Sequence, residues 1–508
     1  MTFFTRQFLV NYFCFSLLTI CLCLAVSCKK PSGDDILRFS YVYINDEGKA
    51  KYVIDTKITM TFDTVFTSIG SITRNFLVHN TSNQEITIKS IYLAGGTHSM
   101  YSINVNGVPG VQGMPFKDIT IPKKDSIFVF VKVNINPQNQ NNPFLVTDSI
   151  VFLTGSRVQD VKLLAYGQDA RYIIADPETG VKVVAGKNET VKWTKERPYV
   201  VYGWAGIDTL GTLEIEAGTR IYFHNNSGLW AYRYSNLNAN GTLEEPVLFR
   251  GDLLEKQFDE DYNQWNRILI NEGANANINY AIISNAFIGV QVDPLPDKDG
   301  ITITPNSLVK IENTIIKNTK QSGVLSRFLN LEMTNCLIIN NGGCGLQLEC
   351  GQYTMKHLTI ANYFKQNTRK TPACYVSNKI SDAAYKDIPP QDTKVDFQNC
   401  IIYGNYKKEE KIESEIVVHK EDKAELKAKF KNCLMQIKNG TSYPEDCVFE
   451  GCERNKDPKF TDINKFDFKL LPESPAIGIG LPNIGVPFDI LGNPRGDKPD
   501  LGAYQFVR

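Results

Sequence analysis

Six nine-residue stretches decide how this chain is read: INYAIISNA from Ile278, IENTIIKNT from Ile311, MTNCLIINN from Met333, MKHLTIANY from Met355, FQNCIIYGN from Phe397 and FKNCLMQIK from Phe430. By subtraction their starts lie 33, 22, 22, 42 and 33 residues apart, so a unit of about 22 residues recurs and three of the gaps hold extra chain. A period of that length is the mark of a solenoid. Each stretch opens on an apolar residue, reaches a corner held by Asn313, Asn335, Asn399 or Asn432, with Tyr280 and His357 as variants, and runs into a short aliphatic strand. A second strand follows 11 or 12 residues after each of three starts, as GVQV at Gly289, GVLS at Gly323 and GLQL at Gly345. Two or three short strands per turn, with Asn and Gly at the corners, predict a right-handed parallel β-helix.

Strand alternation then fixes a register. The place after the corner (Ala281, Thr314, Cys336, Leu358, Cys400, Cys433) and the place two further on (Ile283, Ile316, Ile338, Ile360, Ile402, Met435) should face inward. The place between them holds Ile282, Ile315, Leu337, Thr359, Ile401 and Leu434, an outward apolar column too continuous to leave in water. Residues 364–390 and 405–429, or a partner, are expected to cover it. The charged run KEDKAELKAKF from Lys420 is read as a short surface helix within that second insertion.

Composition narrows the field. A chain of 508 residues exceeds one core, so two or more domains are expected. Its 55 basic and 55 acidic residues cancel, which argues against a nucleic-acid partner. Cys336, Cys400 and Cys433 share one repeat position and read as an inward stack of small apolar side chains. No C-x-x-C pair occurs past the leader, so no metal site and no cofactor are expected. Cys447 and Cys452 leave a small-loop disulfide open.

The flanks bring resemblances to known families. Residues 1–27 carry Arg6, an apolar run from Phe8 to Val26 and Ala-Val-Ser before Cys28, and resemble a bacterial lipoprotein signal peptide. That likeness implies lipidation of Cys28, a tether over residues 28–36, and a place in the outer membrane of a Gram-negative bacterium, facing the cell surface or the periplasm. Residues 37–170 show short strands broken by turns, among them TRNFLVHN, EITIKSIYL, DSIFVFVKV and VKLLAYG, and resemble the immunoglobulin-like β-sandwiches of envelope proteins. Residues 171–200, with Pro177 and Pro198, read as a junction. From residue 201 to 508 the chain resembles right-handed parallel β-helix proteins of the pectate-lyase-like superfamily, through the A-G-T turn at Ala217, the A-N-G-T turn at Ala239, and the ending DILGNPRGDKPDLGAYQF from Asp489. The ending is expected to cap the solenoid. The catalytic motifs of pectate lyases and polygalacturonases are not present, so no family catalytic residue carries over. The fold expected is therefore all-β, an immunoglobulin-like sandwich followed by a parallel β-helix.

Candidate site residues come from two patterns. In LWAYRY, Leu229 and Ala231 are set inward, which turns Trp230, Tyr232 and Tyr234 outward about 7 Å apart, a spacing that suits stacking on sugar rings. The alternative is packing against the sandwich or an insertion. In the second strand of each repeat, Asp293, Arg327 and Glu349 line up outward on successive coils, which sets the two acids about 9.6 Å apart. Two carboxylates roughly 6.5 to 9.5 Å apart suit an inverting hydrolase, whereas an Arg between them suits a surface salt-bridge ladder. His224 and His357 read as turn and corner residues, and Asp259–Asp261 as an acidic turn. The functional expectation is a monomeric lipid-anchored envelope protein whose β-helix recognises a polysaccharide or other surface polymer. A polysaccharide lyase or glycoside hydrolase, and an adhesive protein binding a protein partner, are the alternatives.

Overall fold

The computed structural model describes residues 36–44, 49–295, 308–408 and 411–507; Cys28 and most of its tether lie outside the described residues. The chain divides into two compact units, one ending at Gln168 and the other beginning at Asp169.

Among the described residues the first unit is a β-sandwich of a six-stranded and a five-stranded sheet. Period-two patterning builds it: in Ile58–Phe66, Ile58, Met60 and Phe62 are buried while Thr59, Thr61 and Asp63 are exposed. Phe39, Phe62, Phe76, Tyr101 and Phe152 pack between the sheets. The strands pair antiparallel, save that Ile58–Phe66 runs parallel to Arg157–Gln168. Residues 36–168 hold no cysteine, so the sheets are held by the apolar core, with the Tyr101 hydroxyl donating across it to the Val146 carbonyl at 2.9 Å.

The second unit is a parallel β-helix of three sheets. Sheet I has 11 described strands from Arg171–Ile174 to Glu453–Arg454, sheet II nine from Val181–Ala185 to Ile416–His419, and sheet III ten from Thr190–Trp193 to Cys447–Glu450. One coil shows the scheme: Asn330–Thr334 in sheet III, Leu337–Ile339 in sheet I, Leu346–Glu349 in sheet II, then Gln352–Lys356 one rung up. The corner between sheets III and I is left-handed in all six repeats, with φ of 47° at Tyr280, 48° at Asn313, 53° at Asn335, 52° at His357, 56° at Asn399 and 46° at Asn432. Asn suits that conformation because its short amide satisfies local backbone groups. The other end of the sheet I strand uses the same device at Asn285, Asn318 and Asn340. Glycine opens the sheet II strands for another reason, close approach: a Cβ on Gly323 would lie 2.6 Å from the carbonyl oxygen of Gly345.

The inward register is as expected. Every residue assigned to it, from Ala281 and Ile283 to Cys433 and Met435, is buried. Cys336, Cys400 and Cys433 form the thiol stack, each Sγ lying 3.3 Å from the carbonyl two residues earlier. Cys452 adds a further rung, for Gly451 takes the left-handed corner that Asn holds elsewhere. Cys447 and Cys452 are both free thiols. Phe397, Phe430 and Phe449 stack beside them at 4.9 and 5.0 Å.

Four expectations change. Residues 171–200 are no junction: Arg171–Ile174, Val181–Ala185 and Thr190–Trp193 are the first coil, in parallel register with the next. Pro177 and Pro198 fall between those strands, where they break strands without breaking the stack. The run from Lys420 is not helical, because Leu426–Lys431 is a strand with Leu426, Ala428 and Phe430 inward. The insertions do not cover the outward column of sheet I, since they supply coil strands of their own at Cys374–Ser377 and Ile416–His419. The C-terminal segment covers it, and so caps a flank instead of an end.

That segment is a strap. Phe460, Phe468, Leu470, Ala476 and Leu501 form one apolar cluster with Leu337, Ala361, Ile401 and Leu434 of sheet I. The strap then follows the Asn corner down the coils: Asn432 and Asn399 donate to the carbonyls of Ile479 and Leu481, Lys356 to Ile484, and Asn335 to Phe488. It turns back with Arg495 donating to Asn335 Oδ1 at 2.9 Å, and Ala503 N reaches Thr359 Oγ1 at 2.8 Å. At the last coil Tyr443 packs edge-on to Phe449, and Arg454 lies over that ring.

Candidate functional site

The outer face of sheet II gathers the chemistry. Gly228–Ala231 buries Leu229 and Ala231, which turns Trp230 outward. Its indole Nε1 donates to Asn271 Oδ1 at 2.5 Å. Tyr232 meets Trp230 edge-on, with centroids 5.4 Å apart and planes at 85°. Tyr234 does not join this row. Its φ of 61° takes it out of the strand, and its ring lies over Gly273 in the following turn. Trp204, one rung earlier, takes its place at 6.4 Å from Trp230. Gly228 makes room for it, since a Cβ there would come 2.6 Å from the Trp204 ring. The aromatic cluster is thus Trp204, Trp230 and Tyr232, all half-buried. Trp204 went unread in the sequence because its partner strand is one coil away; the glycine paired with it was the available signal.

Asp293, Arg327 and Glu349 do come together. Arg327 donates from Nη1 to Asp293 Oδ2 and from Nε to Glu349 Oε2, both at 3.0 Å. The group is neither an open ladder nor the wall of a groove. The side chains of Arg327, Asp293 and Glu349 are only 7%, 5% and 0% exposed. Residues 380–388 lie over them: the Ser381 backbone N–H and hydroxyl donate to Glu349 Oε1 at 3.2 and 2.6 Å, Asp382 meets Arg327, and the Tyr385 ring sits 5.0 Å from its guanidinium. Phe328, Cys350 and Ile380 seal the edge. A general acid must reach its substrate, and a fully covered Glu349 does not. The catalytic assignment of Asp293, Arg327 and Glu349 is corrected to a buried charge cluster that clamps this segment.

One cation serves two acids. Burial pushes the Asp293 carboxyl up to about 6, although Arg327 pulls it back. Burial opposes the charge on Arg327, but Asp293 and Glu349 together overcome this and hold the guanidinium above its ordinary range. Asp293 is the less compensated acid: its Oδ1 has no hydrogen-bond partner among the described residues, while Glu349 also accepts from Gln347.

His224 and His357 are held in structural contacts. His224 Nδ1 lies 2.7 Å from Asp252 Oδ2, and its ring stacks on Tyr202. His357 is buried at its corner against Asn399, and burial with the nearby Arg495 charge lowers it to about 2. The acidic turn spends its backbone on the second Asn corner, where Asn285 and Asn318 donate to the Asp259 carbonyl at 2.9 and 3.1 Å.

No family model and no curated protein matches the chain. Among solved structures it is similar to a family 123 glycoside hydrolase from Clostridium perfringens, with a TM-score of 0.16 and 10% identity over 24% of this chain and 26% of that one. The chain thus spans about a quarter of that structure's length, and so slight a likeness says nothing of activity. Among the described residues no helix is long and apolar enough to cross a membrane.

Proposed function

We propose that the protein is a glycan-recognising module of the bacterial envelope, anchored by lipid at Cys28, with the outer face of sheet II as its binding surface. The observation that carries this reading is the half-exposed cluster of Trp204, Trp230 and Tyr232 on a face whose backbone is fixed by the coils on either side. Sugar rings present apolar faces edged by hydroxyls, and aromatic rings beside amides complement both. Asn266 is half-buried two residues before the next strand of this face, while Asn271 is buried and spends its amide on the Trp230 indole and the Asp293 carbonyl, which fixes the Trp230 ring. The lyase or hydrolase reading loses its acids to the buried cluster. The protein-adhesin reading rested on a bare apolar face, and the column on sheet I is occupied by the strap.

The test is a glycan array on the full chain, repeated with Trp204→Ala and Trp230→Ala. Loss of the array signal with an unchanged unfolding transition supports the reading; binding that survives both changes sinks it. Anchoring is tested separately by metabolic palmitate labelling, which should vanish in Cys28→Ala.

A further inference from the structure

The six-stranded sheet of the first unit turns apolar side chains to both of its faces. In its strand order Ala50–Asp55, Arg38–Ile44, Arg74–His79 and Ser126–Val133 are neighbours, and the inward places, among them Phe39, Phe76, Val78 and Val129, fill the core. Alternation then turns Val42, Tyr52, Ile54, Leu77, Phe128 and Phe130 outward. The register gathers them: Val42 pairs with Tyr52, Ser40 with both Ile54 and Leu77, and Leu77 with Phe128. The Phe128 and Phe130 rings stack at 5.8 Å. Leu77 and Phe130 are half-buried, yet Val42 and Tyr52 are each 60% exposed, Phe128 47% and Ile54 43%. An apolar patch of this kind on a finished sheet marks a surface made for contact.

Charge and chain length indicate the partner. Among the described residues no outward place on the strands of this sheet holds a carboxylate. The exposed Arg38 and Lys132 stand at opposite ends of the apolar rows. The five-stranded sheet differs, for its outward face is broken by Thr59, Thr61 and the ion pair of Asp160 with Lys162. Apolar and cationic side chains without acids fit the surface of an anionic bilayer, and Tyr favours the level of the headgroups. The first described strand belongs to this same sheet, and residues 28–35, which separate it from Cys28, reach at most about 30 Å. Six strands about 4.8 Å apart make a sheet roughly 24 Å wide, so a lipid on Cys28 keeps this face within about one sheet width of the bilayer. On so short a tether the local concentration of membrane surface is high, and a face with little affinity of its own is held in contact.

We infer that the outer face of the six-stranded sheet docks on the lipid surface, with Tyr52 and Phe128 entering the headgroup layer and Arg38 and Lys132 meeting lipid phosphates. The inference rests on the lipid anchor at Cys28 proposed above and adds a second contact to it, so that the first unit lies on the bilayer instead of hanging from a free tether. A second copy of the chain seated on the same face is the competing outcome of the test.

The experiment places the full lipidated chain in vesicles of phosphatidylcholine and phosphatidylglycerol that include a lipid with a photoactivatable diazirine on its acyl chain near the glycerol, and maps the lipid adducts by mass spectrometry. The expected result is adducts on the peptides bearing Tyr52 and Phe128 at roughly fivefold or more the level on those bearing Leu145 and Tyr166, exposed residues of the opposite sheet. The double variant Tyr52→Glu with Phe128→Glu, at two exposed positions, should bring adducts at Val42 and Ile54 down to the opposite-sheet level, with palmitate on Cys28 and the unfolding transition unchanged. Lys132→Glu alone, on an exposed side chain, should lower the adducts at Tyr52 and Phe128 by about half, which keeps the test decisive if the double variant unfolds. Equal labelling of the two sheets, or labelling indifferent to both variants, overturns this inference and leaves the anchor standing. Cross-links that join this face on two copies, in place of lipid adducts, overturn it in favour of a dimer. Palmitate labelling that survives Cys28→Ala overturns the anchor and this inference together.

Discussion

The outer faces of sheets I and II are built on the same coils and meet opposite fates. Sheet I carries an apolar column from Ile315 to Leu434, and the strap seals it with Phe460, Phe468 and Leu470. Sheet II carries charge and rings; residues 380–388 seal only its charged middle, and the aromatic end stays half open. A parallel β-helix has no spare interior, so what distinguishes its flanks is what each is covered by. An apolar flank needs continuous cover, whereas a polar flank needs cover only where its charges would otherwise lie desolvated and unpaired.

The sharpest way to break this comparison is to remove the strap. A chain ending before Pro458 should expose the column and either aggregate or bind a hydrophobic dye, read by light scattering and dye fluorescence. Phe468→Ala is the graded version, expected to cost about 3–5 kcal/mol in urea unfolding because the ring is fully buried. On sheet II the counterpart is Arg327→Ala, which leaves two buried carboxylates facing each other and should cost about 3–5 kcal/mol. If Arg327→Ala proves mild, the cover over the charges is looser than the hydrogen bonds of Ser381 imply.

A smaller effect concerns pH. Because the folded Asp293 carboxyl is raised to about 6 from an ordinary 3.8, the folded state holds the proton more tightly than the unfolded one. Its contribution therefore favours folding most below about pH 4 and falls away as pH rises through about 6, by on the order of 3 kcal/mol at most. Comparing urea midpoints from pH 4 to 7 in the parent and in Asp293→Asn should show a shallower decline in the variant. An identical slope in both would remove Asp293 from the account. The smallest effect is that of Tyr234→Ala, which should lower stability by about 1 kcal/mol through lost packing on Gly273, yet leave glycan affinity unchanged. A loss of affinity there would restore the three-ring row that the turn at Tyr234 removes.

The coil interior was legible in the sequence because it is local. The corner Asn, the alternation after it and the repeat length lie within nine residues, and the inward cysteines at 336, 400 and 433 follow from position alone. What failed was non-local. The rung at Phe449, Gly451 and Cys452 escaped because Gly replaces Asn at the corner. The coil within residues 171–200 escaped because its strands are four or five residues long and its prolines fall in turns. For Asp293, Arg327 and Glu349 alternation gave the right face and column, but burial depends on residues 380–388 arriving from the next coil. The outward column announced that it needed a cover; only the folded chain identifies which segment supplies it.

The strap also sets an order of events. It is made after the coils, yet it binds rungs formed much earlier, down to Asn335, more than 150 residues upstream. While the chain emerges, each new coil can bury its core on the one before, as repeat proteins do, but the flank of sheet I stays wet until residues 460–503 appear. Any chain cut short therefore carries a signature of incompleteness along its whole side. Such a chain would be a marked client for chaperones and proteases, and the finished one withdraws the mark in a single closing step.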